Sequence, residues 1–294
     1  MAESIYKTKK GEQLLQELYE QQIAGLGVDY EDKFVETRFG RTHILITGKT
    51  KGVPILLFHG GNSTAAYSLK QNLHLLENHL VLAVDTIGHP GKSDQKVLSS
   101  TNLDYGKWAS DVIDSLGYEQ IYCFGESFGG GIVAKLMCVA PQKISKAVLL
   151  VPAGIYNASK ATLVFSMGIP MMMYLATKNE KWFKRAFQPM ATPGEPIDQS
   201  TLEMIRISFH HVKINPNMPS PVKKEKILNY EAPTLLLAGE KDALFPGRKV
   251  IEKAKELIPQ AKTCLLENCG HLYFTSEKRK MHIKNLVNEF LNTD

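Results

Sequence analysis

Short apolar runs alternate with helix-like stretches along most of the chain. Uninterrupted apolar runs, typical of strands buried on both faces of a parallel sheet, fall at 54–59, 80–85, 121–125, 146–151, 233–239 and 262–267. Apolar residues at helical spacing occupy 11–24, 64–78, 104–116, 129–140, 248–258 and 276–291. Two further strand-like runs, 34–39 and 42–47, flank Gly40-Arg41 and predict a hairpin. The pattern predicts an α/β fold, with an eight-stranded, mostly parallel sheet and helices on both faces.

The alternation breaks between about residues 155 and 228. Seven of the ten methionines lie there, at 167, 171, 172, 173, 190, 204 and 218. An insertion between two core strands predicts a helical cap over the mouth of the sheet, so residues 1–154 and 229–294 would form the core and 155–228 the cap. We expect most of these methionines to pack cap against core, and their flexible thioethers also suit an adaptable apolar pocket.

Residues 125–129, Gly-Glu-Ser-Phe-Gly, lie between a predicted strand and a predicted helix. A serine between two glycines at such a junction is typical of a nucleophile elbow, a sharp turn that lifts the hydroxyl above the sheet. Side chains at Gly125 and Gly129 would collide with neighbouring backbone in that turn. The pattern therefore predicts Ser127 as a nucleophile.

A serine nucleophile needs a base, and the base needs an acid to orient it. Of nine histidines, we favour His271, because it follows the last predicted strand at the sheet edge where α/β proteins place their sites. His210 and His211 fall in the predicted cap, where exposure or partner contact is expected. Glu240 and Asp242 follow the strand at 233–239, and Asp242, deeper in the loop, is the preferred acid.

Two backbone amides are expected to bind an oxyanion beside Ser127. The amide of Phe128 directly follows the nucleophile, and a second donor should come from the loop after the third strand. That loop reads His59-Gly60-Gly61-Asn62. We predict the Gly61 amide as the second donor, with Asn62 as the alternative, and expect His59 to brace the loop by hydrogen bonds.

Composition narrows the function classes further. The formal charge of +5 comes from scattered basic residues without a long run, which indicates a solvated surface and no nucleic-acid partner. Four cysteines lack C-x-x-C spacing, and the chain shows neither an apolar signal core nor an apolar run of membrane-spanning length. These features predict a cytoplasmic protein with reduced thiols. Without H-E-x-x-H or clustered Cys/His spacing, no metal and no cofactor is expected.

These motifs together resemble the α/β-hydrolase superfamily over residues 34–291, and the order Ser127, Asp242, His271 is the order of that superfamily. Residues 37–43 and 85–93 look most like capped bacterial carboxylesterases. The loop at 85–93 carries one residue, Pro90, more than the superfamily's Asp-x-x-Gly-x-Gly-x-Ser pattern. The same stretch has two residues between its glycines where a phosphate-binding loop needs four, so a nucleotide site is not expected.

The resemblance implies ester hydrolysis without naming the ester. The leading hypothesis is hydrolysis of small to medium carboxylic esters through an acyl-enzyme on Ser127. Related triad chemistry stays open, namely lactonase, thioesterase, aminopeptidase or perhydrolase activity. A non-catalytic protein that binds a small ligand on the same fold is the other alternative. The residue between Gly125 and Ser127, Glu126, does not distinguish among them, and neither the pocket-lining residues nor the oligomeric state is predicted.

Overall fold

A computed structural model of the chain describes residues 4–49, 53–213 and 217–293. Residues 1–3, 50–52 and 294 of the predicted core and residues 214–216 of the predicted cap lie outside the described residues. An antiparallel hairpin opens the sheet, with β1 (Tyr30–Thr37) and β2 (Gly40–Gly48) joined where Thr37 faces Gly40. Gly40 has a φ of 135°, which a residue with a side chain rarely adopts.

Six further strands complete the sheet: β3 (Ile55–Phe58), β4 (Leu80–Val84), β5 (Ile121–Glu126), β6 (Ile144–Leu150), β7 (Thr234–Gly239) and β8 (Lys262–Leu266). The strand order is β1-β2-β4-β3-β5-β6-β7-β8. β2 pairs antiparallel with β4, and every pairing from β4 through β8 is parallel. This arrangement confirms the predicted eight-stranded, mostly parallel sheet.

Helices cover both faces of the sheet. They are α1 (Lys9–Ala24), α2 (Ala65–Gln71), α3 (Asp104–Leu116), α4 (Phe128–Val139), α5 (Lys160–Leu163), α6 (Ile169–Thr177), α7 (Glu180–Phe187), α8 (Gln199–His211), α9 (Gly247–Leu257) and α10 (Glu277–Asn292). Successive strand residues point to opposite faces, so Leu56 packs in one core cluster and Leu57 in the other. Residues of α3, α4 and α9 join the first cluster, and residues of α1, α2 and α10 join the second.

The segment between β6 and β7 holds α5 to α8, and a π-helical turn, Val164–Gly168, links α5 to α6. This segment has an apolar cluster of its own around Tyr174 and Phe183, which also takes in Leu272 from the loop after β8. The helices lie where the sequence predicts a cap, while the division of the chain at residues 154 and 229 stays a prediction. Within the described residues, none of the helices combines the length and apolar character needed to cross a bilayer.

Candidate active site

Ser127 lies at the sharp turn between β5 and α4. Its backbone has φ 49° and ψ −112°, an uncommon conformation for a residue with a side chain. A Cβ on Gly129 would lie 2.1 Å from the carbonyl oxygen of Phe58 at the end of β3, and one on Gly125 would lie 2.5 Å from the carbonyl oxygen of Gly129. Both glycines are therefore needed for the strand and helix to approach this closely, which explains the pattern around Ser127.

The structure brings Ser127, His271 and Asp242 into one hydrogen-bonded chain. His271 Nε2 lies 3.0 Å from Ser127 Oγ, and His271 Nδ1 lies 2.8 Å from Asp242 Oδ2. A carboxylate only accepts hydrogen bonds, so Nδ1 carries the proton and Nε2 is free to accept from the serine hydroxyl. All three come from loops or turns at the carboxyl ends of β5, β7 and β8.

The backbone holds Asp242 in this orientation. Its second oxygen, Oδ1, accepts hydrogen bonds from the amides of Leu244 and Phe245, at 2.8 and 3.0 Å. Both Asp242 and His271 are buried. A buried carboxylate fixed by two amides can hold the imidazole in one tautomer and one orientation.

Glu240, the other acid considered from the sequence, has different partners. Its carboxylate accepts hydrogen bonds from the backbone N–H of Asn268 and from the Arg248 guanidinium. These two interactions lower the pKa of Glu240. Glu240 therefore fixes the loop after β8, and Asp242 is the acid that contacts His271.

The loop after β3 lies against the nucleophile. A Cβ on Gly60 would lie 3.6 Å from Ser127 Cβ, and one on Gly61 would lie 3.5 Å from Phe128 Cβ. Among the described residues, neither the Gly61 amide nor the Phe128 amide donates a backbone hydrogen bond. The Asn62 amide instead donates to His89 Nδ1 at 3.1 Å, so Gly61 is the better-placed donor for an oxyanion.

Two buried histidines shape this loop. His59 Nδ1 lies 2.7 Å from the Gly60 carbonyl oxygen, and its Nε2 accepts a hydrogen bond from the Thr86 amide. Burial lowers the pKa of His59, and burial together with the neighbouring His59 lowers the pKa of His89 to about 3. Both rings are therefore neutral near pH 7, which lets His89 accept from Asn62. The bracing role of His59 was expected from the sequence, whereas no sequence pattern indicated a role for His89.

Comparison with known proteins agrees with the fold. A family model described as the alpha/beta hydrolase fold matches residues 53–198. The chain belongs to the α/β-hydrolase superfamily.

Relatives of this α/β-hydrolase include esterases and peptidases. Carboxylesterase YbfK of Bacillus subtilis is 26% identical over 264 residues, which cover 86% of each chain. A proline iminopeptidase of Lactobacillus delbrueckii subsp. lactis is 22% identical over 288 residues, covering 85% of this chain and 94% of the relative. The crystal structure of naproxen esterase from B. subtilis superposes with a TM-score of 0.81 at 21% identity, over 97% of this chain and 100% of that one. That likeness establishes the fold.

A cavity of about 140 Å³ opens beside Ser127 and His271 in this α/β-hydrolase. Most of its wall is apolar, formed by Val151, Met190, Met204, Ile205, Met218, Leu244, Leu272 and Phe274. Three of the seven methionines between residues 155 and 228 are thus part of the wall. Two other methionines pack against apolar clusters instead: Met167 contacts the cluster of the core, and Met171 contacts the cluster of the insertion.

Glu126 forms a polar part of the cavity wall that the sequence did not explain. Its carboxylate accepts hydrogen bonds from Ser68 Oγ and Asn72 Nδ2, both at 2.6 Å, and from the hydroxyl of Tyr273. Burial raises the pKa of Glu126, and the three donors oppose that rise. Tyr273 lies two residues after His271, so this network ties the histidine loop to the residue before the nucleophile. Nothing in the local pattern at Glu126 could have shown partners so distant in sequence.

Within the described residues, no group of three or more His, Cys, Asp or Glu side chains is arranged to hold a metal ion.

Proposed function

We propose that this α/β-hydrolase is a serine hydrolase that cleaves small to medium carboxylic esters through an acyl-enzyme on Ser127. The observation that carries the proposal is the chain of hydrogen bonds from Ser127 through His271 to Asp242. Beside it lie the Gly61 and Phe128 amides, which donate no backbone hydrogen bond among the described residues. The likeness to carboxylesterase YbfK supports esters as the substrate class.

In the proposed reaction, His271 Nε2 takes the proton of Ser127 while Oγ bonds to the acyl carbon. The carbonyl oxygen becomes an oxyanion and accepts hydrogen bonds from the Gly61 and Phe128 amides. His271 then gives its proton to the leaving alkoxide as the ester C–O bond breaks. A water molecule releases the acyl group by the same steps, and Asp242 stabilises the imidazolium in both halves of the reaction.

The cavity indicates the size and polarity of the ester. At about 140 Å³, it is smaller than the roughly 300–1,000 Å³ typical of sites for drug-sized ligands. Its wall is mostly apolar, so we infer that it takes a short or medium alkyl group. The adaptable side chains of Met190, Met204 and Met218 would let acyl chains of different length fit.

An aminopeptidase is the alternative suggested by the likeness to proline iminopeptidase. Such an enzyme must bind a substrate ammonium group, and Glu126 is the carboxylate in the cavity wall. Its oxygens, however, already accept hydrogen bonds from Ser68, Asn72 and Tyr273. A carboxylate engaged by three protein donors is poorly available to a substrate amine, which favours the ester.

The test is the hydrolysis of p-nitrophenyl esters from acetate to decanoate by the wild type and by Ser127→Ala, with proline p-nitroanilide as the peptidase substrate. We expect kcat to fall by about 10⁴-fold or more in Ser127→Ala, as for other triad serines. Ser99→Ala, which changes an exposed serine outside the cavity wall, is the matched control and should keep wild-type turnover.

Covalent labelling checks the nucleophile independently of substrate choice. A fluorophosphonate should add its phosphonyl group to the peptide that contains Ser127, as detected by mass spectrometry, and should not label Ser127→Ala. Ester turnover retained in pure Ser127→Ala would refute the mechanism. Faster cleavage of proline p-nitroanilide than of any ester would establish the peptidase instead, and labelling without turnover on any substrate would favour the binding protein.

A further inference from the structure

The helices α5 and α6, with the π-helical turn between them, expose an unusual amount of apolar surface. Fourteen large hydrophobic side chains are exposed among the described residues, and six of them fall within twelve positions of this segment: Val164, Phe165, Ile169, Met172, Met173 and Leu175. We call these six residues the outer face. Phe165 is 71% exposed and Met172 61% exposed, and clustered apolar surface of this kind marks an interaction site more often than single exposed residues do.

Helical geometry makes the outer face continuous. Phe165, Ile169 and Met172 follow one another at spacings of four and three, so they lie on one side of the helix. Pro170 and Tyr174 are buried on another side, where Tyr174 packs against Phe183. The segment from Lys160 to Thr177 is 18 residues long, or about 27 Å of helix. One side of it is thus anchored in the protein, while a second apolar side is exposed.

Positive charges border the outer face. No Asp, Glu, Lys or Arg occurs at residues 161–177, and exposed lysines stand at both ends, Lys160 and Lys178. Lys181, Lys184 and Arg185 follow on α7 and are also exposed. The one acid among these residues, Glu180, forms an ion pair with Arg206. An uncharged apolar strip with a cationic border is typical of helices that lie in a membrane interface.

A groove beside the outer face also combines apolar surface with positive charge. It has a volume of about 630 Å³ and is lined by Phe165, Ile169, Pro170, Trp182 and Arg185, among others. The Arg185 guanidinium lies 5.7 Å from the centre of the Trp182 ring. Tryptophan is enriched where one part of a surface meets hydrocarbon and another meets water. The groove therefore suits an apolar chain that ends in an anionic head.

We propose that the outer face docks on the surface of an anionic lipid bilayer, with the helix lying in the interface and the border cations on the headgroups. Charge complementarity favours lipid over a second copy of this chain. Two-fold pairing of the outer face with itself would bring two cationic borders together, whereas an anionic surface supplies the opposite charge and attracts each lysine near it.

The experiment is co-sedimentation of the full chain with vesicles of phosphatidylcholine alone and of phosphatidylcholine mixed with phosphatidylglycerol. We expect the wild type to bind the mixed vesicles, and to bind them less as salt rises. The double variant Phe165→Ser/Met172→Ser should lose more than about tenfold in partitioning because it removes apolar contact area. Lys181→Glu/Lys184→Glu should lose about thirtyfold or more on the mixed vesicles, since each cation near an anionic surface adds about fivefold.

Leu228→Ser is the matched control, because Leu228 is 68% exposed but lies outside the outer face. It should bind like the wild type. Turnover of soluble p-nitrophenyl butyrate should be unchanged in every variant, which separates this proposal from the proposed ester chemistry. Failure of the wild type to bind mixed vesicles, or equal binding to both vesicle types, would overturn the proposal. So would a lipid-free dimer that Phe165→Ser/Met172→Ser converts to monomers, since a second copy would then cover the face.

Discussion

The two acids after β7 differ by only two positions in sequence but have separate partners. Asp242 contacts His271 and takes two backbone amides, whereas Glu240 pairs with Arg248 and the Asn268 amide. The local sequence contains both carboxylates, and only the path of the turn decides which one reaches the histidine. The preference for Asp242 thus has a geometric basis, and its role in the reaction stays a prediction.

Exchange of each acid for its amide tests that role. Asp242→Asn should lower kcat for a p-nitrophenyl ester by about 10⁴-fold, because the amide favours the wrong imidazole tautomer. Glu240→Gln should keep kcat within a few-fold of the wild type. Steady-state kinetics measures kcat for both purified variants, and circular dichroism verifies that both are folded. A larger loss in Glu240→Gln than in Asp242→Asn would reverse the assignment.

At the scale of elements, Asp85 joins parts of the chain that are far apart in sequence. It follows β4, is fully buried, and accepts hydrogen bonds from His43 Nδ1 at 2.8 Å and from the amides of Ala65 and Lys92 at 2.9 and 3.0 Å. It thereby holds together β2, the start of α2 and the loop at 85–93. These bonds show how that loop, with its additional Pro90, is fixed to the sheet.

The same contacts predict how stability depends on pH. Burial alone would raise the pKa of Asp85, but the bonds from His43 and the Lys92 amide outweigh it, so the pKa is lowered. A carboxyl group with a lowered pKa in the folded state stabilises the fold above its unfolded pKa of about 3.9 and loses that contribution as pH falls further. Asp85→Asn should reduce the free energy of unfolding by about 3 kcal/mol at neutral pH.

Urea unfolding at several pH values measures this effect. The difference between the wild type and Asp85→Asn should stay constant from neutral pH to about pH 5 and shrink below about pH 4. Asp114→Asn changes an exposed partner of Lys143 and should shift the free energy of unfolding by less than about 1 kcal/mol. A difference that stays constant down to pH 2 would show that the carboxylate charge of Asp85 does not stabilise the fold.

Elements with a strong local pattern were predictable, and elements defined by distant contacts were not. The strands β3 to β8 and the helix α3 begin and end within two residues of their predicted bounds, because each carries its own apolar run. The strand β1 begins four residues before the predicted start, since its first residues, Tyr30 to Lys33, are largely exposed and polar. The helix predicted at 64–78 divides at Asn72, whose side chain turns inward to Ser68 and Glu126.

At the scale of the whole molecule, the candidate site has contacts with the insertion as well as with the core. The residues on both sides of His271 bond to the segment between α7 and α8. The Gly270 amide donates to Thr192 Oγ1 at 3.0 Å, and the Leu272 amide donates to the Met190 carbonyl oxygen at 2.8 Å. The insertion therefore contacts the residues on both sides of His271 and also supplies part of the cavity wall. No pattern in the sequence could show this, because the bonded residues lie about 80 positions apart.

Thr192→Val is the change that tests this dependence, because it keeps the shape of the side chain and removes only the hydroxyl. Thr192 is fully buried, so the Gly270 amide would lose its acceptor, at a cost of about 1–3 kcal/mol in the free energy of unfolding. Looser placement of His271 should also lower kcat by about tenfold or more, because catalysis is sensitive to displacements of about 1 Å. Thr177→Val, an exposed threonine at the end of α6, serves as the control in both measurements. If Thr192→Val loses stability yet keeps wild-type kcat on p-nitrophenyl butyrate, the core alone positions His271, and the insertion contributes only part of the cavity wall.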